Sequence, residues 1–235
     1  MDGTVRAQLH AGQYDKVVTG GQALGTTDGF VLAAEAMNAK LLLGLANNKA
    51  KTAKRARKTA RAALEIEPNN TEAQLQYAIA YGFYGRHVSP FAAWRKKLPQ
   101  KILAEIEMAA LMRPSDSRVE ALQGAWHLNL LYKGGKWNVE KRYGANKAKG
   151  IAHFQAALKQ SKNDIIITAN FLMLRFALDP DRLATQTQKE LTRLVAQQPR
   201  NATERQLLTQ MQHVLKGFEV SNAQALTRAQ AFLEQ

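Results

Sequence analysis

The chain has 235 residues, of which 46% are hydrophobic and 22% are charged. This composition excludes a disordered protein and supplies enough apolar material for a substantial core. The absence of cysteine excludes disulfide bonds and thiolate chemistry, and the net charge of +14 favours anionic partners.

The amino-terminal residues 1–6 contain no apolar segment of the kind that a secretory leader carries, so we expect no leader in this sequence. The alternative is a mature chain from which a leader has been removed. No apolar run approaches the ~20 residues that a membrane-spanning helix needs, and none is predicted. The lack of cysteine favours an exported, periplasmic bacterial protein, although a cytoplasmic location also fits the sequence.

Apolar residues recur at helical spacing along the chain, whereas alternating strand patterns with hairpin signals do not occur. The sequence therefore predicts an all-α fold. The predicted helices lie near residues 5–10, 14–24, 29–45, 49–66, 71–84, 99–112, 117–132, 146–160, 165–177, 182–197, 201–217 and 221–234.

One short phrase recurs at the ends of predicted helices. It reads AALEIEPNN at 62–70, AALMRPSD at 109–116 and AALKQSKND at 156–164, and a weaker copy, LVAQQPRN, lies at 194–201. The alanines allow two helices to approach closely and the leucine fills the gap between them. Proline with Asn, Asp or Ser ends one helix and caps the next. Internal repetition of this kind indicates a stack of similar units.

These phrases resemble the end of the second helix of a tetratricopeptide repeat (TPR). The run 69–81 that follows the first phrase resembles the first helix of the family's repeat, with Ala78 at its small position and Tyr81 at its aromatic position. The resemblance covers roughly residues 7–217. It implies a right-handed α-solenoid of antiparallel TPR-like helix pairs, from a divergent bacterial member of the family.

We expect one domain over residues 1–235, with the repeats at about 7–200 and a pair of C-terminal capping helices at about 201–235. The spacing departs from the family pattern, because the marker prolines Pro68 and Pro114 are 46 residues apart rather than ~34. The extra residues fall at 85–99 and 133–146, so two helix pairs have long turns.

The sequence contains no motif that indicates catalysis, a cofactor or a metal. It lacks a phosphate-binding glycine loop, a nucleophile elbow and any pair of histidines at metal-ligand spacing. We therefore predict a protein that is not an enzyme and that has no cofactor. His127 is predicted to be half-buried and bonded to a backbone carbonyl; the alternative is a ligand contact.

The TPR resemblance implies that a peptide binds in a concave groove lined by the first helices. The candidate groove residues are Leu75, Ile79, Phe83, Arg118 and Asn129. An equally good alternative is that the chain's own inserted segments or its last helix fill this groove.

Basic residues are clustered in three segments. Residues 49–61 hold seven Lys and Arg, residues 86–101 hold five, and residues 133–149 hold six with only Glu140 opposing them. In a stack of helix pairs the turns within pairs share one edge. The candidate residues of this basic edge are Lys49, Lys51, Arg86, Arg95, Lys96, Lys97, Lys133, Lys136, Lys141 and Arg142, with the aromatic residues Trp94 and Trp137. The alternative for the aromatic rings is that they pin the long turns to the helix ends.

The predicted helix at 49–66 has two contrasting faces. Its small residues form a stripe that we expect to pack against neighbouring helices: Ala53, Ala56, Ala60 and Ala63. Its basic residues are expected to point outward: Lys51, Lys54, Arg55, Lys58 and Arg61.

Together these patterns predict a non-catalytic interaction scaffold that binds a protein or peptide through the concave groove, the basic edge or both. The alternative is a protein that binds a polyanion (anionic lipid, acidic glycan or nucleic acid) through the turns 85–99 and 133–146. The sequence gives no indication of the oligomeric state.

Overall fold

The structure is a computed structural model that describes residues 2–235, with side chains described for all of these except residues 2 and 136–138. Within this range helices are the only regular secondary structure, so the predicted all-α class is confirmed. No helix among the described residues is long and apolar enough to cross a membrane.

All of the predicted helices are present, and two short ones add to them. The described helices are α1 (Asp2–His10), α2 (Tyr14–Leu24), α3 (Thr27–Leu42), α4 (Lys49–Ile66), α5 (Thr71–Arg86), α6 (Pro90–Arg95), α7 (Leu98–Met112), α8 (Ser117–Gly134), α9 (Lys136–Tyr143), α10 (Lys147–Gln160), α11 (Ile165–Leu178), α12 (Pro180–Val195), α13 (Ala202–Phe218) and α14 (Asn222–Leu233). The additional helices, α6 and α9, lie in the two long turns.

Polar side chains fix where several helices begin. Asn48, Asn70 and Asn146 each accept a hydrogen bond from a backbone N–H in the first turn of α4, α5 and α10. Asp164 does the same for α11. These caps satisfy backbone donors that a helix leaves unpaired, so polar residues at the ends of recurring phrases and in the turns set where these helices begin.

Backbone contacts divide the chain into two compact units. Unit 1 contains residues 1–114 and 201–203, and unit 2 contains residues 115–200 and 204–235.

In unit 1, helices α3, α4 and α5 run antiparallel to their neighbours. One core cluster joins Val31, Ala63 and Ala73, which lie at the start of α3, the end of α4 and the start of α5. A second cluster contains Leu41 from the end of α3 and Phe83 from the end of α5, together with residues near the start of α4. The α3–α4 turn and the link from α5 to α7 therefore lie at the same end of unit 1.

In unit 2, helices α8 and α10 pack antiparallel with little space between them. A Cβ atom on Gly124 would lie 2.6 Å from the ring of Phe154, and one on Gly150 would lie 2.6 Å from the side chain of Leu128. Phe154 is buried and stacks on Phe171 of α11, with the ring centroids 4.9 Å apart. Two glycines thus let the helices approach, and one aromatic pair connects them to α11.

Candidate functional site

Helix α4 separates its basic residues from its small ones. Its small residues Ala53, Ala56, Ala60 and Ala63 are fully buried, which confirms that this stripe is the packing face. The basic residues that we expected to point outward are exposed. We call these five residues the α4 basic face: Lys51, Lys54, Arg55, Lys58 and Arg61. At a rise of 1.5 Å per residue they form a row about 15 Å long.

The α4 basic face keeps most of its charge uncompensated. The sequence from residue 36 to residue 64 contains no Asp or Glu. Arg61 lies 3.8 Å from Glu65, but both side chains are about two-thirds exposed, so this ion pair is weak. Arg55 donates a hydrogen bond of 2.6 Å to the neutral side chain of Gln22. Among the described residues, Lys54 and Lys58 form no ion pair.

One further cation of α4 has a different role. The guanidinium of Arg57 lies over the rings of Tyr81 and Tyr84, 4.5 Å and 5.0 Å from their centroids. Such cation–π contacts hold α4 to α5 and cover the ring faces. These two tyrosines therefore do not offer an open stacking surface beside the α4 basic face.

The candidate groove residues of unit 1 are largely taken up by packing. Leu75 is fully buried and Phe83 is buried. Ile79 is half-buried and packs against the cluster that contains Leu41 and Ala53. Leu75 and Phe83 consequently present little surface to a ligand.

The candidate groove residues of unit 2 are both half-buried and bonded within α8 or its cap. The guanidinium of Arg118 forms an ion pair with Asp116 at 2.9 Å. The amide of Asn129 donates to the backbone carbonyl of Ala125 at 2.8 Å. The structure places these polar side chains in local contacts with their own helix.

The basic-edge candidates of unit 1 differ in exposure. Lys51, Arg95, Lys96 and Lys97 are exposed, whereas Lys49 is half-buried.

Arg86, another candidate of the basic edge, is half-buried beside an aromatic ring. Its guanidinium lies 4.9 Å from the centroid of Phe83. Burial lowers the pKa of Arg86 to about 10, so the side chain still carries its charge at neutral pH.

In unit 2 the candidates Lys133, Lys141 and Arg142 are exposed. The side chains of Lys136 and Trp137 lie outside the described residues. A single edge that joins the basic turns of both units remains a prediction.

A histidine pair in unit 2 was only partly anticipated. His127 Nδ1 accepts a hydrogen bond from the backbone N–H of Asn146 at 3.2 Å, so the predicted carbonyl partner was wrong. The His127 ring stacks on that of His153, with centroids 5.9 Å apart, and His153 Nδ1 lies 2.8 Å from Glu120. Glu120 and His153 are 33 residues apart, so no local motif connects them.

Burial holds His127 in its neutral form. Burial, with smaller contributions from His153 and Lys149, lowers the pKa of His127 to about 4. Glu120 and His153 form a carboxylate–imidazole hydrogen bond beside it. Within the described residues, no group of three or more His, Asp or Glu side chains is arranged to hold a metal ion.

The lowered pKa of His127 gives a testable pH dependence of stability. Between pH 6.5 and pH 4 the unfolded chain binds a proton at this residue that the folded chain does not, so acidification destabilises the fold. We expect the free energy of unfolding to fall by about 1–2 kcal/mol because of this residue. This is less than the full pKa shift of His127 would give, because the ring is half-buried and water partly screens its charge. Urea unfolding at pH 7 and pH 4.5, followed by circular dichroism, measures it.

His127→Gln keeps an acceptor for the Asn146 N–H but does not titrate, so this part of the pH dependence should disappear. His10→Gln, at an exposed site, is the matched control and should retain the wild-type pH dependence. Equal pH slopes for wild type and His127→Gln would contradict the assignment.

No model of a protein family matches the chain, and no curated protein matches it. Functional interpretation therefore depends on the residues and their geometry. Of the features described above, the α4 basic face is the largest ordered set of exposed cations on one element.

Proposed function

We propose that the chain is a non-catalytic interaction scaffold, a TPR-like α-solenoid, which binds an acidic protein or peptide segment along the α4 basic face. The observation that carries this proposal is the row of five exposed cations on one face of a single helix. Their helix is fixed by a fully buried alanine stripe, and no acid lies between residues 36 and 64. The backbone that carries this row is ordered before a ligand arrives, which reduces part of the entropic cost of binding.

The spacing along α4 favours a partner with regularly placed carboxylates. Cations at i, i+3, i+4 and i+7 lie about 5–6 Å apart from one to the next on the helix surface. Glutamates at the same helical spacing on a partner present a complementary row. We therefore propose a helical acidic segment as the ligand. The groove expected from the TPR resemblance contributes less to binding, because Leu75 and Phe83 are buried.

Recognition of nucleic acid bases has less support at this face. The residues between the cations of α4 are alanine and threonine, which offer no aromatic surface for stacking. Arg57 covers the nearby tyrosine rings. The α4 basic face thus supplies charge at a defined spacing without a means of reading bases.

A second candidate function is the binding of a polyanion through the long turns. The observation that favours it is the exposed basic run Arg95, Lys96 and Lys97, in a stretch from 73 to 104 that contains no Asp or Glu. Such binding weakens steeply as salt rises, since it depends on the release of counterions.

A labelled helical peptide with glutamates along one face tests the first candidate, with a glutamine version of the same peptide as the control. We expect the glutamate peptide to bind, to bind more weakly as salt rises, and to exceed the glutamine peptide by more than tenfold in affinity. Fluorescence anisotropy at low and physiological salt gives these affinities. Equal affinity for the two peptides would contradict the proposal.

A competition experiment separates the two candidates. In one outcome, a single-stranded oligonucleotide displaces the peptide, and Lys54→Gln with Lys58→Gln weakens the binding of both ligands equally. The α4 basic face is then a general polyanion site. If these variants weaken the peptide while binding of the oligonucleotide depends on Arg95, Lys96 and Lys97, two separate surfaces are in use.

A further inference from the structure

The link between α5 and α7 presents two aromatic rings to solvent. Phe91 is 67% exposed and Trp94 is 49% exposed. They lie three residues apart on α6, so they share one side of that helix, and their ring centroids are 5.9 Å apart. We call this pair the aromatic tip.

The aromatic tip is not part of the core of unit 1. Helix α6 contributes no buried residue. Exposed aromatic surface is unfavourable in water. If the rings served only to pin the link to the helix ends, Phe91 would be buried. Its exposure is instead explained by a partner surface that covers it.

Cations immediately follow the aromatic tip. Arg95, Lys96 and Lys97 are all exposed, and Lys97 has a left-handed backbone with φ of 53°. This residue turns the chain directly from α6 into α7, which keeps the three cations beside the rings. Lys101, in the first turn of α7, is exposed as well.

The whole end of unit 1 that carries the aromatic tip is poor in acid. The α3–α4 turn and the start of α4 lie at this end, and they belong to the acid-free stretch from 36 to 64. Asp15, in the first turn of α2, pairs with Lys40 at 2.6 Å. The tip thus stands at a cationic end of the unit.

We infer that the aromatic tip and its cations form an interfacial anchor, which inserts Phe91 and Trp94 into the headgroup region of an anionic phospholipid bilayer. Aromatic rings are stable at this depth because it offers both apolar contact and water. Lysine and arginine beside the rings meet the lipid phosphates, and each contributes about 1 kcal/mol near an anionic membrane surface. The two rings that would enter the bilayer are therefore adjacent in the chain to the cations that would face the lipid phosphates.

The geometry of the rings favours a membrane over a nucleic acid. Phe91 and Trp94 contact each other at an interplanar angle of 47°, so they leave no parallel slot for a base. Two rings in contact form a compact apolar wedge instead. The tip therefore suits insertion into an interface more than stacking along a strand.

This inference concerns residues other than the α4 basic face. It deepens the second candidate function, on which it rests, by naming the ligand of Arg95, Lys96 and Lys97 and by adding the two rings. The test uses the full chain with vesicles of phosphatidylglycerol and phosphatidylcholine, and with vesicles of phosphatidylcholine alone. We expect binding to the mixed vesicles at low salt and at least tenfold weaker binding to phosphatidylcholine alone. Co-sedimentation measures both affinities.

Lipids with brominated acyl chains report the depth of the aromatic tip. They should quench part of the tryptophan fluorescence of the wild type, and Trp94→Phe should lose most of that quenching while it still binds. This difference assigns the inserted ring, because the other tryptophans are unchanged in the variant.

Two sets of variants test the parts of the anchor. Phe91→Ser with Trp94→Ser should weaken binding to mixed vesicles by on the order of tenfold or more. Arg95→Gln, Lys96→Gln and Lys97→Asn together should weaken it by on the order of a hundredfold, since each cation is worth about fivefold. Asparagine tolerates the left-handed backbone of Lys97, so the fold should persist; circular dichroism checks this.

Matched controls separate this anchor from general charge attraction and from the α4 basic face. Lys54→Gln, Arg55→Gln and Lys58→Gln remove the same charge from α4 and should change vesicle binding by less than about threefold. Leu111→Ser, at a leucine that is 79% exposed on α7, should have no effect.

Several results would overturn the inference. These are no binding to mixed vesicles at low salt, equal binding to neutral vesicles, equal loss in the α4 variants, and no loss on removing the rings. Binding of a single-stranded oligonucleotide through the tip without vesicle binding would also overturn it. Vesicle binding as expected, with no binding of the acidic peptide, would contradict the proposed function alone.

Discussion

Reversal of two charges on the α4 basic face, by Lys54→Glu with Lys58→Glu, is expected to weaken binding of the acidic helical peptide by on the order of a hundredfold. Each reversal replaces an attraction with a repulsion at the same position, and we expect about tenfold from each. Both side chains are exposed on a helix whose opposite face is fully buried, so the fold should be retained. Fluorescence anisotropy at low salt measures the affinity.

The control variant has the same net charge as this double variant, but its two reversed charges lie elsewhere in the chain. Lys162→Glu with Lys189→Glu changes the net charge by an equal amount at two exposed positions of unit 2. Affinity for the peptide should then fall by less than about threefold, since neither lysine belongs to the α4 basic face and salt screens exposed charges. An equal loss in both double variants would show that net charge, rather than the row on α4, attracts the peptide.

Phe154→Ala should produce a large loss of stability in unit 2. Phe154 is buried, fills the space above Gly124 and stacks on Phe171, so its removal leaves a cavity where α8, α10 and α11 meet. We expect the free energy of unfolding to fall by about 3–5 kcal/mol. Urea unfolding followed by circular dichroism provides the measurement.

Phe91→Ala is the matched control for this change, because it removes the same atoms from a ring that is 67% exposed. It should alter stability by less than about 0.5 kcal/mol. A loss below about 1 kcal/mol for Phe154→Ala would mean that the α8–α10 contact contributes much less than its burial indicates.

Most helices could be predicted from the sequence because their signals are local. Apolar spacing marked the helix bodies, and the polar residues at the end of each recurring phrase marked where the next helix begins. Helix α6 was missed although Ser89 followed by Pro90 is a local start signal, and the side chain of Ser89 does cap this helix. Its six residues are too short to show an apolar period.

The α4 basic face was also predictable, since a stripe of alanines at helical spacing fixes the packing side of one helix. Contacts that depend on neighbouring helices could not be predicted in the same way. The TPR resemblance implied that Leu75 and Phe83 line a groove for a peptide, but it could not show that other helices of unit 1 cover them. The Glu120–His153 pair depends on the register of α8 against α10, which the close approach at Gly124 sets and which no local pattern encodes.

The central claim is that an acidic helical segment lies along the α4 basic face, and a spin-labelled glutamate peptide tests it most directly. Paramagnetic broadening of backbone amide signals shows which residues of the isotope-labelled protein lie near the bound label. We predict broadening concentrated between residues 49 and 66, and its loss in Lys54→Glu with Lys58→Glu. Broadening centred on other helices, or broadening that persists in this double variant, would contradict the claim.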